Sequence, residues 1–230
     1  MKLLLLLPTL NEEDAIRALA NEMPGEFEVL VVDGGSTDFT KEVALQHGWR
    51  FITQRYGNGK GCGIQTGMEE FLKRGHDHLG IIDADYTNDP GEVIQMLKFL
   101  KDNDLDVVLG NRNIVKQREY LGWFSVFINT LTSGIVSRMY GQKLSDIQTS
   151  YWVFNKKAVE TIAPNIVANG FDIEYDLTYN AWKSGLKIGE VPVNFRRRIG
   201  YSKFHTSHRF RQIAHGLKYV YWSLVHLCRK

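Results

Sequence analysis

Two aspartates, Asp83 and Asp85, directly follow a short apolar run at residues 79–82. A run of this length predicts a buried strand, and in a strand the two side chains share one face while Ala84 points to the other. Both carboxylates then lie at the carboxyl end of a strand, where open α/β sheets bind ligands. Two hard oxygen ligands suit Mg²⁺ or Mn²⁺, which complete their coordination with water and substrate phosphates. The pattern predicts a divalent-metal site, and the alternative is a pair of solvated loop acids.

The elements that position this pair follow a regular order along the chain. Apolar runs predict five strands in the first 110 residues, at residues 3–7, 27–32, 50–53, 79–82 and 106–109, and a late strand is predicted at 190–195. Helical patterns separate them at about 12–22, at 36–47, after the glycine-rich stretch 57–63, and after Pro90, which we expect at the first position of a helix capped by Asn88 or Asp89. The alternation predicts an α/β fold, with a mostly parallel, Rossmann-like sheet and helices on both faces.

Length and composition exclude several classes of protein. A chain of 230 residues, 43% hydrophobic and 23% charged, is typical of a globular protein with a sizeable core. The formal net charge of +2 gives no general attraction to nucleic acid. Cys62 and Cys228 have neither metal-ligand spacing nor a disulfide pattern, which indicates a reducing, cytoplasmic setting. The apolar run at 3–7 is short for a signal peptide and no cleavage site follows it, so we interpret it as the first strand.

Two further polar clusters follow predicted strands. Asp33, in the stretch DGGSTD at 33–38, is a candidate acceptor of hydrogen bonds from a base or ribose, although strand–turn–helix segments of this kind are common. Lys60, in GNGKGCG at 57–63, lies at a glycine-rich helix start, which suits a diphosphate; a flexible solvated turn is the alternative. No Gly-x-Gly-x-x-Gly follows the first strand, which counts against a dinucleotide enzyme.

Five segments together resemble a known family: PTLNEE at 8–13, VDGGSTD at 32–38, GKG at 59–61, DAD at 83–85 and GNR at 110–112. They occur in the order and spacing of the family 2 glycosyltransferases, which have the glycosyltransferase A fold. Within that family the chain looks most like the dolichyl-phosphate mannose and glucose synthases, and the resemblance covers about residues 3–204. It implies inverting transfer of a hexose from a GDP-mannose or UDP-glucose type donor to a polyprenyl phosphate, with Mg²⁺ or Mn²⁺ as cofactor.

The resemblance also implies roles for individual residues. The metal ligands would be Asp83 and Asp85. The catalytic residues would be Asp85, Arg112 and Arg197. The donor-binding residues would be Pro8, Thr9, Asn11, Glu12, Asp33, Gly35, Lys60, Asp83, Ala84 and Lys203.

The segment 121–136 is strongly apolar but is interrupted by Ser125, Asn129 and Thr132, which fall on one helical face. It is too short and too polar for a convincing transmembrane span. The resembling synthases use a Ser-x-x-x-Asn pair here to receive the lipid phosphate, which implies that role for Ser125 and Asn129; a core helix is the alternative. Those enzymes usually carry an arginine four residues before the serine, where this chain has Leu121. Arg118 or Arg112 would have to replace it.

Two later segments depart from, or add to, the family pattern. Residues 151–153 (YWV) replace the usual Gly-Phe-Arg after the segment DIQTS at 146–150, so a basic contact is lost and an aromatic one gained. Asp172 and Glu174 begin a predicted helix; either could serve as a base for a hydroxyl acceptor, or as an ordinary helix-start acid.

The loop RRRIGYSK at 196–203 carries four cations, which favours phosphate; a solvated turn or a nucleic-acid patch are the alternatives. Arg197 occupies the arginine position of the family's Arg-x-x-Gly-x-Ser-Lys loop, which closes over the diphosphate.

Residues 205–230 are predicted to form a basic amphipathic helix appended to a catalytic domain at 1–204. Such a helix suits a membrane surface, its own core or a second subunit in a homodimer. The sequence therefore predicts a soluble protein or one peripheral on the cytoplasmic face of the membrane, with no nucleic-acid partner. Two other functions stay open: a glycosyltransferase that uses a non-lipid hydroxyl acceptor, and a non-catalytic sugar-nucleotide-binding protein.

Overall fold

The structure, a computed structural model, describes residues 2–201 and residue 221 of the chain. Apart from residue 221, the predicted C-terminal helix at 205–230 lies outside the described residues, and so does Lys203. The strands are β1 (Leu3–Thr9), β2 (Glu28–Asp33), β3 (Arg50–Thr53), β4 (His78–Ile81), β5 (Val107–Arg112), β6 (Trp152–Asn155) and β7 (Ile188–Val193). The α-helices are α1 (Glu13–Ala20), α2 (Thr40–Gln46), α3 (Lys60–Leu72), α4 (Glu92–Asp102), α5 (Ile114–Leu121), α6 (Trp123–Tyr140), α7 (Lys156–Ile162) and α8 (Ile173–Lys183). A short 3₁₀ helix, Ala163–Asn165, follows α7.

The seven strands form one sheet in the order β3-β2-β1-β4-β6-β5-β7. Strands β1, β2, β3 and β4 pair in parallel, as do β5 and β7, whereas β6 is antiparallel to both of its neighbours. The prediction of a mostly parallel sheet is confirmed. The parallel register pairs Thr9 with Asp33 and Leu6 with Ile81, so the segments that follow β1, β2 and β4 meet at one edge of the sheet.

Helices cover both faces of the sheet, as predicted, and β1 shows why its sequence is a continuous leucine run. Leu4 and Leu6 pack in a core with side chains of α3, α7 and α8. Leu5 and Leu7 pack on the opposite face with side chains of α1, α2 and α4. A strand buried on both faces has no solvent side and therefore no polar alternation. None of the described helices is long and apolar enough to cross a membrane.

The start of α4 differs from the prediction. The helix begins at Glu92, and Pro90 lies in the turn before it, so Pro90 is not the first helical residue. The Asp89 carboxylate accepts a hydrogen bond from the Gly91 N–H at 2.9 Å, and the Glu92 N–H donates to the Asp89 carbonyl at 3.2 Å. The Asp89 carboxylate is thus the acceptor of a local turn and does not cap a helix that begins at Pro90. The helix begins after this turn, at Glu92.

Candidate active site

A cleft of about 670 Å³ opens at the edge where the parallel strands end. Its lining comes from the turn after β4, the end of β5, helices α5 and α6, the first turns of α3 and α8, and the loop after β7. The sequence-predicted site residues that line it are Lys60, Asp83, Asp85, Arg112, Ser125, Asn129 and Arg197. The structure thus brings these predicted residues from five separate parts of the chain into one cavity, at the edge where open α/β sheets bind ligands.

Asp83 and Asp85 follow β4 directly, and each carboxylate has a cation of the protein beside it. Asp83 forms an ion pair with Lys60 at 2.7 Å and accepts the Ser150 hydroxyl at 2.5 Å. Burial opposes the ionisation of Asp83, but the charge and hydrogen bond of Lys60, the Ser150 hydroxyl and the charge of Arg198 together lower its pKa. Asp85 pairs with Arg198 at 2.7 Å. Burial, with the neighbouring charge of Asp83, raises the pKa of Asp85.

The charges around this pair suit a divalent cation. Lys60 also pairs with Glu174 at 2.7 Å, and Arg198 also pairs with Glu12. These contacts join four carboxylates with two cations, which leaves two negative charges uncompensated within the cluster. No group of three or more His, Cys, Asp or Glu side chains that could hold a metal exists among the described residues. The two carboxylates of Asp83 and Asp85 suit Mg²⁺ or Mn²⁺, which would take its other ligands from water and a substrate phosphate.

The glycines on either side of Lys60 allow the backbone of residues 168–170 to approach closely. A Cβ at Gly61 would lie 2.0 Å from the Ala168 carbonyl oxygen, and the Cys62 N–H donates to the Asn169 carbonyl at 3.3 Å. The segment 168–170 thus packs directly on the start of α3, at the glycine-rich stretch that we predicted to suit a diphosphate. Of the described residues 57–63, only Lys60 lines the cleft, where it forms ion pairs with Asp83 and Glu174.

Gly61→Ala is expected to destabilise the fold by about 1–3 kcal/mol, because backbone atoms of residue 168 must move to admit the new methyl group. The free energy of unfolding in urea measures the loss. Gly134→Ala is the matched control, since its nearest neighbour would be the flexible end of Arg138 at 3.7 Å. That change is expected to be neutral or stabilising in a helix. Equal effects of the two substitutions would contradict the close contact.

The residues predicted to hold the nucleoside lie at the same sheet edge, beside the cleft and outside its lining. The Asp33 carboxylate accepts the Gly35 and Ser36 N–H groups, each at 2.9 Å, and also the Ser36 hydroxyl. Asn11 accepts the Thr37 N–H at 2.7 Å. These bonds fasten the loops after β1 and β2 to each other. Pro8 and Thr9, at the end of β1, complete this edge. The donor-binding role of Pro8, Thr9, Asn11, Glu12, Asp33 and Gly35 stays a prediction.

Arg112 lies at the end of β5, and a buried carboxylate fixes it there. The Asp146 carboxylate accepts hydrogen bonds from the Arg112 side-chain Nε and Nη2, each at 2.7 Å, and from the Arg112 backbone N–H at 3.1 Å. The same carboxylate accepts the amide groups of Asn129 at 2.8 Å and Gln117 at 3.3 Å. Burial opposes the charged form of Arg112, but Asp146, together with the charges of Asp83 and Glu174, raises its pKa. Asp146 therefore connects β5, α5 and α6, a role that its sequence position did not reveal.

The residues predicted to bind the lipid phosphate acceptor separate into two groups. Ser125 and Asn129 line the cleft beside Leu121, and the Ser125 hydroxyl donates to the Leu121 carbonyl at 2.9 Å. Arg118 is exposed on α5 and does not line the cleft. The structure does not bring Arg118 to the position that it was predicted to fill. Among the described cations, Arg112 lies beside Asn129, because both bind Asp146; Arg196 and Arg197 also line the cleft.

The loop after β7 lies across the Asp83–Asp85 turn. The Arg196 N–H donates to the Thr87 carbonyl at 2.9 Å, and the Ile199 N–H donates to the Asp85 carbonyl at 3.1 Å. Arg197 lines the cleft, as predicted, but Arg198 makes the contact with Asp85. Sequence reasoning missed Arg198. The cluster of cations was the available signal, and an irregular loop has no periodicity that tells which one points inward.

Glu174 and Asp172 also differ in position. Glu174, in the first turn of α8, lines the cleft, whereas Asp172 precedes the helix and does not. Burial raises the pKa of Glu174 even though Lys60 opposes that shift. Of these two candidate bases, only Glu174 faces the cavity.

Comparison of the sequence with models of known protein families identifies the family of this chain. The model for Glycosyl transferase family 2 matches residues 5–163, which carry both the Asp83–Asp85 turn and the cleft wall of α5 and α6. The chain belongs to glycosyltransferase family 2. Solved structures agree at the level of the fold. Glucosyl-3-phosphoglycerate synthase of Mycobacterium tuberculosis, in complex with Mn²⁺, uridine diphosphate and glucosyl-3-phosphoglycerate, superposes with a TM-score of 0.72 at 18% identity, over 95% of this chain and 79% of that one. The fold is the glycosyltransferase A fold.

Relatives of named function are similar at modest identity. Polyprenol monophosphomannose synthase of Mycolicibacterium smegmatis is 29% identical, over 89% of this chain and 81% of the relative. Undecaprenyl-phosphate mannosyltransferase of Micrococcus luteus is 26% identical, over 88% and 87% respectively. Glycosyltransferase AglJ of Haloferax volcanii is 27% identical over 84% of this chain. The chain spans only 63% of AglJ and 48% of a second Haloferax relative, the hexosyltransferase Agl6.

Proposed function

We propose that this protein transfers a hexose from a nucleotide diphosphate sugar to a polyprenyl monophosphate, with inversion at the anomeric carbon. The observation that carries the proposal is one cleft lined by two chemically different groups of side chains. One group, which we call the donor end, is the carboxylate pair Asp83 and Asp85; the other, which we call the acceptor end, is Ser125 and Asn129 on α6, and several arginines line the same cleft. Relatives named as polyprenol-phosphate and undecaprenyl-phosphate mannosyltransferases support the lipid acceptor and favour mannose.

At the donor end, Asp83 and Asp85 would hold Mg²⁺ or Mn²⁺, which supplies charge to the leaving diphosphate. Mn²⁺ together with uridine diphosphate in the mycobacterial neighbour supports this assignment. Arg197 and Arg198, on the loop above the carboxylates, are in position to share the charge that develops on the diphosphate. A phosphate acceptor is already ionised near neutral pH, so this reaction requires no dedicated general base.

Transfer of radiolabelled sugar into organic solvent tests the proposal. GDP-mannose and UDP-glucose are supplied in turn, with polyprenyl phosphate, Mn²⁺ or Mg²⁺, and an EDTA control. We expect metal-dependent label in the lipid phase from one donor, which names the sugar as well. Donor that binds without any transfer would favour the non-catalytic alternative, and label transferred only to a soluble compound would contradict the lipid acceptor.

Glu174→Gln distinguishes a phosphate acceptor from a hydroxyl acceptor. We expect Glu174→Gln to lower transfer to polyprenyl phosphate by less than about fivefold, because no proton has to be removed and Lys60 keeps Asp83 as a partner. Asp172→Asn, outside the cleft lining, is the matched control with the same loss of charge on the same segment. A loss of roughly a hundredfold or more in Glu174→Gln alone would identify Glu174 as a general base and contradict the phosphate acceptor.

Helix α6 presents an apolar face outward, beside the acceptor end of the cleft. Its buried side includes the polar residues Asn129, Thr132 and Ser133, while Trp123 and Phe127 are exposed. Surface helices of soluble proteins usually have the opposite arrangement. We define the outer patch as the exposed apolar side chains of α5 and α6: Ile114, Val115, Trp123, Phe127 and Leu131.

An anionic lipid surface is the occupant that this outer patch suits best. Residues 113–145 carry four cations (Lys116, Arg118, Arg138 and Lys143) and one anion, Glu119, so the patch lies in a positively charged segment. Ser125 and Leu121 lie on the same two helices and line the cleft, so a lipid phosphate that leaves such a surface has a short path into it. We infer that the protein is peripheral on the membrane that holds its acceptor.

The variant Trp123→Ser with Phe127→Ser is expected to lower binding to phosphatidylglycerol-containing vesicles by roughly tenfold or more, because two aromatic side chains no longer enter the interface. Co-sedimentation measures the change. Leu45→Ser with Ile94→Ser, which alters exposed apolar positions on α2 and α4, is the control. Equal vesicle binding by both variants and by the unmodified protein would exclude this patch.

A further inference from the structure

In this structure, each carboxylate of the predicted metal site is paired with a cation of the chain itself. Lys60 contacts Asp83 at 2.7 Å and Arg198 contacts Asp85 at 2.7 Å. Lys60 sits deep in the cleft, with its side chain 10% exposed and a second partner in Glu174. Arg198 comes from the loop after β7, and its side chain is 25% exposed. Of the two cations, Arg198 is the one that a small loop movement can remove from the site.

The contacts of Asp85 leave little room for a second cation. Arg198 Nη1 donates a hydrogen bond to the Oδ2 atom of Asp85, and the Thr87 hydroxyl donates one to the Oδ1 atom at 2.6 Å. Arg198 also pairs with Glu12, so its guanidinium spans from the loop after β1 to the turn after β4. A divalent ion on Asp85 would compete with Arg198 for the same oxygen and would repel its charge.

The hydrogen-bond donors of Arg198 are not all paired in this arrangement. Its Nε donor is buried and has no hydrogen-bond partner among the described residues. Arginine binds phosphate through two parallel N–H groups, and a diphosphate that enters the cleft offers acceptors for such a pair. A nucleotide diphosphate therefore offers Arg198 new acceptors in exchange for Asp85, whereas a metal ion that arrives alone offers it none.

We propose that Arg198 competes with the divalent cation for Asp85, so that the cation binds tightly only together with the nucleotide, whose diphosphate takes over Arg198. This inference rests on the donor site of the proposed function, and it adds a residue that sets the order of binding. In the free protein, Arg198 holds Asp85 and keeps metal affinity low. With a nucleotide present, Arg198 moves to the diphosphate and Asp85 becomes available as a ligand. Metal and nucleotide then strengthen each other's binding by the same factor.

Titration of the full-length protein with Mn²⁺, followed by electron paramagnetic resonance of the free ion, tests this directly. Arg198→Gln is expected to bind Mn²⁺ alone roughly five- to tenfold more tightly than the unmodified protein, because one tethered competitor is gone. The gain in Mn²⁺ affinity on adding GDP or UDP is expected to shrink by about the same factor. Arg198→Lys keeps a cation near Asp85 and is expected to restore most of the competition.

Arg196→Gln is the matched control, because it removes the same charge from the same loop while Arg196 pairs with Glu22 and Asp89. Unchanged Mn²⁺ affinity in Arg198→Gln, or an equal gain in Arg196→Gln, would overturn the inference about Arg198. Neither result would affect the proposed function. If none of the variants binds Mn²⁺ even with nucleotide present, the metal site of the proposed function fails instead.

Discussion

Asp85→Asn is expected to lower sugar transfer by roughly a thousandfold and to abolish metal-dependent nucleotide binding. An amide is a far weaker ligand for Mg²⁺ or Mn²⁺ than a carboxylate, and Asp85 is one of only two carboxylates in the Asp-x-Asp turn. The change also removes the ion pair with Arg198, which is one of the contacts between the basic loop and the turn. Label transfer gives the rate, and calorimetric titration of nucleotide with and without Mn²⁺ gives the binding.

Asp89→Asn is the control for this prediction. Asp89 belongs to the same polar segment, accepts the Gly91 N–H and pairs with Arg196, but it does not line the cleft. We expect Asp89→Asn to keep transfer within a few-fold of the unmodified protein. An active Asp85→Asn variant, or one that still binds nucleotide more tightly with Mn²⁺, would remove Asp85 from the metal site. Circular dichroism of both variants separates this result from a loss of folding.

The location of the site could be predicted from the sequence because it depends on strand ends. The apolar run before Asp83 and the leucine run before Pro8 both predicted strands. Parallel neighbours end at the same edge, so the polar residues that follow them had to meet there. Neither step required knowledge of a distant contact. This is why Asp83 and Asp85 could be placed at a strand end from the sequence, and in the structure Lys60 and the basic loop lie at the same edge although the segments are far apart in the chain.

The individual partners inside the site could not be predicted in the same way. Asp146 binds Arg112 across 34 positions of sequence, and Arg198 binds Asp85 across 113. Nothing in the local pattern of either residue specifies that pairing. The glycines around Lys60 were interpreted from their local freedom, whereas the carbonyl of Ala168 explains Gly61. Packing partners of this kind become visible only when the chain is folded.

Strand β6 was also missed, for a physical reason. Trp152–Asn155 is short, and its bulky residues were interpreted as departures from a binding motif. In the structure they form an antiparallel strand between β4 and β5, with Tyr151, Trp152 and Phe154 almost fully buried. Four residues that are mostly buried on both faces carry no alternation, so periodicity had no signal to offer. The aromatic replacement at 151–153 therefore fills the core, and does not reach the cleft lining.

Asp146→Asn is expected to destabilise the fold by about 3–5 kcal/mol, because it leaves the buried Arg112 guanidinium without its counter-charge. Asp146 is 1% exposed and accepts donors from Arg112, Gln117 and Asn129, so an amide in its place must turn a donor toward other donors. Urea unfolding, with an unchanged m-value, measures the loss. Asp104→Asn is the control, since its pair with Lys187 is exposed and should contribute less than about 1 kcal/mol.

The double variant Arg112→Met with Asp146→Leu separates the two origins of this loss. If an unpaired buried charge causes most of the destabilisation, removing both charged groups is expected to recover much of the stability that Asp146→Asn loses. If Asp146 acts mainly by joining α5 and α6 to β5 through Gln117 and Asn129, the double variant stays as unstable as the single one. We expect recovery of stability without recovery of transfer, because Asn129 would lose the carboxylate that holds its amide at the acceptor end of the cleft.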